Sequence, residues 1–128
     1  MQNKHSMQGS EIKLTKVTKK GWGCEKLIYN GEYCGKLLCF DAGKEGSAHF
    51  HLIKKESWML MSGELILQLT DKETAEVKEL KLYPNETITI FPGTVHKVIA
   101  VKDSVIFEVS THHDDNDTYR VGKGSGQK

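Results

Sequence analysis

The residues best suited to chemistry in this sequence are three histidines and one glutamate. His49 and His51 are separated by Phe50, and Glu56 follows five residues after His51. Alternate side chains of an extended strand share one face, so the two imidazoles point the same way and Phe50 points away. A turn in the segment between them could bring Glu56 onto a neighbouring strand, and His96 begins another strand after the turn FPGT. These four polar side chains are predicted to converge.

Imidazole nitrogens together with a carboxylate suit one divalent transition metal, such as iron, manganese, nickel, cobalt or zinc. Such a ligand set leaves one or two coordination positions open for water or substrate. One histidine on a strand is more often an ordinary polar group than a ligand. Four suitable residues at this spacing favour a metal centre, with His49, His51, Glu56 and His96 as its ligands.

The composition is that of one soluble domain. The chain has 128 residues, of which 38% are hydrophobic, and 18 Lys and Arg residues against 17 Asp and Glu residues give a net charge of +1. A nearly neutral chain lacks the positive field that attracts nucleic acids and anionic membranes, so neither is expected as a partner. No apolar run is long enough to span a bilayer, and residues 1–10 lack the apolar core of a signal peptide. With three cysteines and no paired spacing, we expect a cytoplasmic protein in which Cys39 is buried.

Short stretches rich in β-branched and aromatic residues recur about every eight to twelve residues, which indicates an all-β sandwich or barrel. The predicted strands cover residues 11–17, 26–29, 35–41, 48–53, 58–61, 64–69, 77–83, 87–91, 95–101 and 105–110. Residues 73–80 could form a helix by propensity, but the alternation of Val77, Leu80 and Leu82 favours a strand. The polar residues 1–10 and the Gly-rich residues 122–128 are predicted to be flexible tails around a barrel at 11–121.

The metal-ligand candidates lie within a recognisable motif. Residues 43–63 read Gly, five residues, HxH, four residues, Glu, six residues, Gly, which resembles the first motif of the cupin superfamily. The second motif is found in altered form at 85–96, where Gly93 and His96 are retained. The resemblance implies a single-domain double-stranded β-helix, a small jelly-roll barrel, in agreement with the strand count. It also implies the metal ligands His49, His51, Glu56 and His96 and the structural turn glycines Gly43 and Gly63.

Within that superfamily, three fragments resemble the cupin domain of type II mannose-6-phosphate isomerases. They are Trp22-Gly23, ESWMLMSG at 56–63 and EVSTHHDDNDTYRV at 108–121. This resemblance implies a carbohydrate substrate, a sugar or sugar phosphate, and aldose–ketose isomerisation. Two alternatives remain open: an iron-dependent dioxygenase of a small chelating substrate, and a non-catalytic module that binds a sugar or another small ligand. Because small cupins commonly pair through their sheets, a homodimer is expected.

Isomerisation needs a group that moves a proton beside the metal, and Glu56 and Lys36 are the predicted catalytic residues. Glu108 is a further candidate if its side chain points inward. The ordinary expectation for Lys36 and Glu108 is nevertheless a solvated position at the barrel rim.

Other polar and aromatic residues near these motifs have two interpretations each. Trp58 shares a face with Glu56, so it either walls the pocket or fills the core, and Val98 shares the face of His96. Arg120 could contact a substrate phosphate, although an ion pair with the nearby acidic run is more usual. That run could bind a second metal but more often forms a solvated turn; it comprises His112, His113, Asp114, Asp115 and Asp117.

Overall fold

The computed structural model describes residues 3–7 and 9–127, with side chains from residue 9 onward. Its strands are β1 (Asn3–Met7), β2 (Ser10–Lys13), β3 (Lys16–Lys20), β4 (Gly23–Asn30), β5 (Cys34–Phe40), β6 (His49–Phe50), β7 (Glu56–Ser62), β8 (Leu65–Thr70), β9 (Val77–Leu82), β10 (Thr87–Ile90), β11 (Val95–Ala100), β12 (Ser104–Ser110) and β13 (Tyr119–Arg120). A single 3₁₀ turn covers Asp115–Asp117. Within these residues there is no helix long and apolar enough to cross a membrane.

Two antiparallel sheets form the barrel. One has six strands in the order β10-β7-β12-β5-β4-β3, and the other has five in the order β13-β6-β11-β8-β9. Strands β1 and β2 form a separate hairpin. Because most neighbouring strands in each sheet are not consecutive in the chain, the connections cross repeatedly between the sheets, as in a jelly roll.

The core lies between the two sheets and follows the two-residue period of the strands. On β5 the side chains of Lys36, Leu38 and Phe40 are buried, whereas Leu37 and Cys39 are half-buried on the other face. The inward positions of β7, β8, β11 and β12 complete the apolar core, which includes Leu60, Leu65, Leu67, Val98 and Ile106. Burial of such side chains is the main favourable term in folding. One end of the barrel interior is polar, and it holds the predicted metal ligands.

Each of the ten predicted segments contains a strand, and residues 77–82 are a strand rather than a helix. Three details differ from the prediction. Residues 11–17 do not form one strand, because β2 ends at Lys13 and β3 begins at Lys16. The strands β1 and β13 were not predicted, and β1 lies in residues 1–10, which were expected to be a flexible tail. Residues 48–53 supply only the two residues of β6, His49 and Phe50.

The early end of β6 has a specific cause. The backbone N–H groups of Leu52, Ile53 and Lys54 donate hydrogen bonds to the carboxylate of Asp117, at 2.9 to 3.2 Å. These donors are therefore not available to a neighbouring strand. A residue more than sixty positions away in the chain thus shapes the loop between His51 and Glu56.

Both predicted tails contain residues that the structure describes. Residues 3–7 pair with β2 as a hairpin, while residues 1, 2, 8 and 128 lie outside the described residues. Near the other end, Ser125 packs against the barrel: its backbone N–H donates to the carbonyl of Glu45, and its Oγ accepts from the N–H of Glu45, both at 2.7 Å. Residues 122–127 therefore lie beside the open end of the barrel.

The outer face of the six-stranded sheet is rich in apolar side chains. Met59, Phe107 and Leu37 occupy consecutive cross-strand positions on β7, β12 and β5, and Val105 faces Cys39 in the next row. Cys39 is half-buried on this face, so the prediction that it is buried is wrong; the inward positions belong to its neighbours. An apolar face of this kind on a small protein is typical of an interaction surface.

Candidate metal centre

The three predicted histidine ligands converge. His49 on β6 lies directly opposite His96 on β11, and His51 follows two residues after His49 on the same side of the chain. One ring nitrogen from each histidine lies within 4.8 Å of the others. Strands β6 and β11, with the residue that follows β6, thus place three imidazoles around a common point, and this cluster could bind a metal ion.

Each imidazole is oriented through its Nδ1 atom. Nδ1 of His49 lies 2.9 Å from the carbonyl of Ser47, and Nδ1 of His96 lies 2.9 Å from the carbonyl of Thr94. Nδ1 of His51 lies 3.0 Å from the carbonyl of Asp117. A carbonyl only accepts, so each Nδ1 carries the proton and each Nε2 presents a lone pair. Metal-ligating histidines are commonly held in this way.

The carboxylate of Glu56 faces the histidine cluster from the opposite sheet. Its Oε1 accepts a hydrogen bond from Nε1 of Trp58 at 2.7 Å. Its Oε2 lies 3.2 Å from Nε2 of His51 and 3.7 Å from Nε2 of His96. Among the described residues, neither Oε2 of Glu56 nor Nε2 of His96 has a hydrogen-bond partner, although both are buried. Buried lone pairs that face one another are unfavourable unless a cation lies between them, so these residues fit a metal ion.

The electrostatics of the site also suit a cation. Burial lowers the pKa of His49 to about 3, and burial also lowers the pKa of His96. Burial alone would raise the pKa of Glu56, but the facing His51 imidazole and the Lys54 ammonium outweigh it and lower the pKa. His49 and His96 are therefore neutral and Glu56 is ionised near neutral pH, the protonation states that metal ligands require.

A second group of charged side chains lies in the same barrel interior. Lys36 and Glu108 are only 4% and 3% exposed, so the expectation that they occupy a solvated rim is wrong. Nζ of Lys36 donates to Oε1 of Glu25 at 3.2 Å. Nζ of Lys54 lies 2.8 Å from Oε2 of Glu108, an ion pair whose angle is not that of a hydrogen bond. Each buried cation is thus compensated by a carboxylate.

The sequence analysis named Glu108 as a candidate but missed Lys54, and therefore missed the pair. Burial and the negative charge of Glu56 raise the pKa of Glu108, against the opposing charges of Lys54 and Lys36. Burial alone would lower the pKa of Lys54, but the carboxylates of Glu108 and Glu56 outweigh it and raise the pKa. Lys54 carries no sequence signal of burial, because it lies in the polar segment LIKK between two ligands. The alternation along β12, with Ile106 and Glu108 on one face, was the only available signal for Glu108.

The histidine and aspartate cluster after β12 does not form a second metal site in the described structure. Nε2 of His113 donates to Asp115 and its Nδ1 faces Lys54, while Asp117 holds the loop before Glu56. Nδ1 of His112 donates to the carbonyl of Gly31, and Asp114 caps the 3₁₀ turn. The cluster is therefore neither a ligand set nor a simple solvated turn.

One cavity of about 440 Å³ is lined by two of the histidines and by the buried charged side chains, His49, His51, Glu56, Lys36, Lys54 and Glu108. Trp58 and Val98 line it while also belonging to the core, so both interpretations of Trp58 apply. Three exposed, positively charged side chains also line the cavity: Lys16, Lys20 and Arg120. The expected ion pair between Arg120 and the acidic run is not formed within the part of the chain that the structure describes.

Comparison with known proteins gives similarity at the level of structure. No protein-family model matches the chain, and no curated protein matches it. The capsular polysaccharide assembling protein CapF from Staphylococcus aureus superposes with a TM-score of 0.77 at 18% identity, over 87% of this chain and 32% of CapF. An oxalate decarboxylase from Bacillus subtilis gives 0.72 at 13%, over 84% and 30%. The Lactobacillus farciminis oxalate decarboxylase in a formate complex gives 0.72 at 14%, over 84% and 34%.

The chain therefore has the all-β double-stranded β-helix fold of the cupins. It spans about a third of the length of the structures it matches. At these identities the similarity establishes the fold, and the chemistry must be argued from the site itself.

Proposed function

We propose that the protein is a metal-dependent enzyme that interconverts an aldose and a ketose, with a sugar or sugar phosphate as its substrate. The observation that carries the proposal is the buried Lys54–Glu108 pair. Both residues line the cavity that contains the histidine cluster, and neither belongs to the predicted ligand set. A metal centre that only binds a ligand has no need of a buried acid–base pair beside it.

Aldose–ketose isomerisation moves a proton from C2 of the aldose to C1 of the ketose and therefore needs a base beside the carbonyl. A divalent ion held by the histidines and Glu56 would polarise that carbonyl and lower the energy of the enediolate. Glu56 is poorly placed as the base, since Trp58 holds its Oε1 and the histidines face its Oε2. Glu108 lies outside the predicted ligand set, and its raised pKa suits a group that both accepts and returns a proton.

Glu108 thus takes the C2 proton as a carboxylate and returns it to C1 as the acid, while the proton of the C2 hydroxyl passes to the C1 oxygen. Lys54, 2.8 Å from Glu108, can donate a hydrogen bond to the substrate oxygen on which negative charge develops. The catalytic role predicted for Lys36 stays a prediction; its buried ammonium lies in the same cavity, where it can bind a substrate hydroxyl.

The open end of the cavity supports an anionic substrate. Lys16, Lys20 and Arg120 line the cavity there. Within the described residues these three cations have no carboxylate within ion-pair distance, whereas the buried cations do. A phosphate at one end of a sugar would meet these cations while its carbonyl lies near the histidines. The carbohydrate context also agrees with one structural relative, whose name refers to capsular polysaccharide assembly.

The test is an isomerisation assay without oxygen. The chain is loaded in turn with zinc, manganese, nickel, cobalt or iron(II) and incubated anaerobically with mannose 6-phosphate and other aldose phosphates in D₂O. Proton NMR follows the ketose signals and the exchange of the C2 proton. Glu108→Gln should lower turnover by about 10²- to 10⁴-fold, as expected for loss of a general base. Glu79→Gln, a change at an exposed carboxylate on β9, is the matched control and should retain full turnover.

Three results would contradict the proposal. Consumption of oxygen by the iron(II) form, with no anaerobic turnover, would indicate a dioxygenase. Tight binding of a sugar without turnover would indicate a binding module. Equal turnover of Glu108→Gln and the unchanged chain, at equal metal content, would show that Glu108 is not the base.

A further inference from the structure

A chain of polar contacts runs from the barrel interior to solvent. Oε2 of Glu108 lies 2.8 Å from Nζ of Lys54, and Nζ lies 3.1 Å from Nδ1 of His113. Nε2 of His113 lies 2.8 Å from Oδ1 of Asp115. The side chains of Lys54, His113 and Asp115 are 3%, 18% and 99% exposed, so the chain passes from the buried interior to the surface.

The directions of these hydrogen bonds are fixed by chemistry. An ammonium group only donates, so Nδ1 of His113 must accept from Lys54. Nε2 of His113 then carries the proton and donates it to the carboxylate of Asp115. Asp115 thereby selects the tautomer whose lone pair faces Lys54. Lys54 is thus held by an ion pair with Glu108 and a hydrogen bond to His113, and it lines the cavity.

The backbone around His113 is also held in place. Its N–H donates to Oδ1 of Asn30, and Nδ2 of Asn30 donates to its carbonyl, both at 2.9 Å. These two bonds join the segment after β12 to the end of β4. His113 is therefore a fixed group rather than a side chain on a free loop.

We propose that His113, oriented by Asp115, is a positioning residue that fixes the Lys54 ammonium against Glu108 and toward the substrate. This inference rests on the proposed function, because it assigns Lys54 a part in that reaction. Without the acceptor on His113, the long Lys54 side chain keeps Glu108 as its partner but loses the contact that sets its direction. Small losses of alignment at a reacting group reduce turnover more than substrate binding.

Two substitutions at one position separate positioning from packing. His113→Phe keeps a planar ring but removes the acceptor. His113→Asn places its Oδ1 about where Nδ1 stands, so it restores an acceptor with less bulk. His112→Phe, at the neighbouring exposed histidine, is the matched control. Metal content by elemental analysis confirms that each variant retains the metal centre.

The first readout does not depend on activity. In heteronuclear NMR of the zinc-loaded chain, the ammonium signal of a lysine is visible only when its protons exchange slowly with water. We expect the Lys54 signal in the unchanged chain, in His112→Phe and in His113→Asn, and its loss in His113→Phe. The second readout is turnover: His113→Phe should lower kcat by about tenfold to a hundredfold with little change in KM, and His113→Asn should recover most of it.

The outcomes are distinguishable. If His113→Phe keeps both the Lys54 signal and the kcat of the unchanged chain, the positioning role is wrong. If His113→Asn loses the signal as fully as His113→Phe, the contact is packing and the role is again wrong. If the signals behave as expected but no form of the chain isomerises a sugar, the proposed function fails while the contact between His113 and Lys54 is upheld.

Discussion

Replacement of Asp117 by alanine should destabilise the protein through the loop that it organises. The Asp117 carboxylate accepts hydrogen bonds from the N–H groups of Leu52, Ile53 and Lys54. Leu52 and Ile53 are 56% and 78% exposed, so water can replace the carboxylate at these two positions. Lys54 is 3% exposed, so its N–H would stay buried without a partner.

The expected loss follows from these three contacts. A buried N–H left without a partner costs about 1–3 kcal/mol, and replacing two charge-assisted bonds by water adds less than that. We expect Asp117→Ala to lose about 2–3 kcal/mol of unfolding free energy. For a chain of this length that loss corresponds to a decrease in Tm of about 10 °C. Asp41→Ala, a change at an exposed aspartate, is the control and should alter Tm little.

The loss should also depend on pH. Burial alone would raise the pKa of Asp117, but the N–H groups of Lys54, Leu52 and Ile53 outweigh it and lower the pKa. A lowered pKa means that the carboxylate stabilises the folded state fully above its unfolded pKa of about 3.9 and loses this effect as the pH falls toward the folded pKa. The gap between Asp117→Ala and the unchanged chain should therefore be constant near neutral pH and shrink below about pH 4.

Unfolding by urea, followed by circular dichroism at several pH values, measures both effects. A loss below about 0.5 kcal/mol at pH 7 would refute the reasoning, because it would mean that water replaces all three bonds. A gap that stays constant down to pH 3 would show that the carboxylate charge is not what stabilises the loop.

The remaining predictions concern the metal centre, two turns and the outer face. His96→Ala and Glu56→Gln should each lose stoichiometric metal while remaining folded, as elemental analysis and circular dichroism would show; full metal content in both would exclude the site. Gly63→Ala should cost about 2–4 kcal/mol, because Gly63 has a φ of +97° and an added Cβ would strike Ser104, whereas Gly43→Ala, at a φ of +81° with open space, should cost about 1 kcal/mol. Urea unfolding measures both losses, and equal losses in the two variants would mean that crowding at Gly63 is unimportant. We expect a homodimer through the apolar outer face of the six-stranded sheet, so Phe107→Lys should shift the mass in sedimentation equilibrium from two chains to one, and a monomer in the unchanged chain would contradict this.

The sequence determined the local features of this protein. The alternation of apolar residues predicted strands in ten segments that all contain one, because the period of two is fixed by strand geometry and does not depend on the partner strand. The spacing of His49, Phe50 and His51 predicted two imidazoles on one face for the same reason. The same period identifies the inward side of β5, where Leu38 and Phe40 are buried and alternate with half-buried residues.

The tertiary structure decided which charged residues are buried. Lys54 and Glu108 lie 54 residues apart, and each is tolerated in the interior only because the other compensates its charge. Charged residues are rarely buried, so a position at the barrel rim was expected for Lys36 and Glu108. An oppositely charged partner on a distant strand permits burial, and the sequence does not show which strands will be neighbours.

The same limit applies to the loop before Glu56. From the sequence, residues 48–53 read as one strand, but its second half bonds to Asp117 instead of a neighbouring strand. Backbone N–H groups donate to whichever acceptor the fold brings near, and the local sequence does not encode which acceptor that is. The sequence therefore determined the residues that can bind a metal, and the fold alone decided that the buried Lys54–Glu108 pair lies beside them.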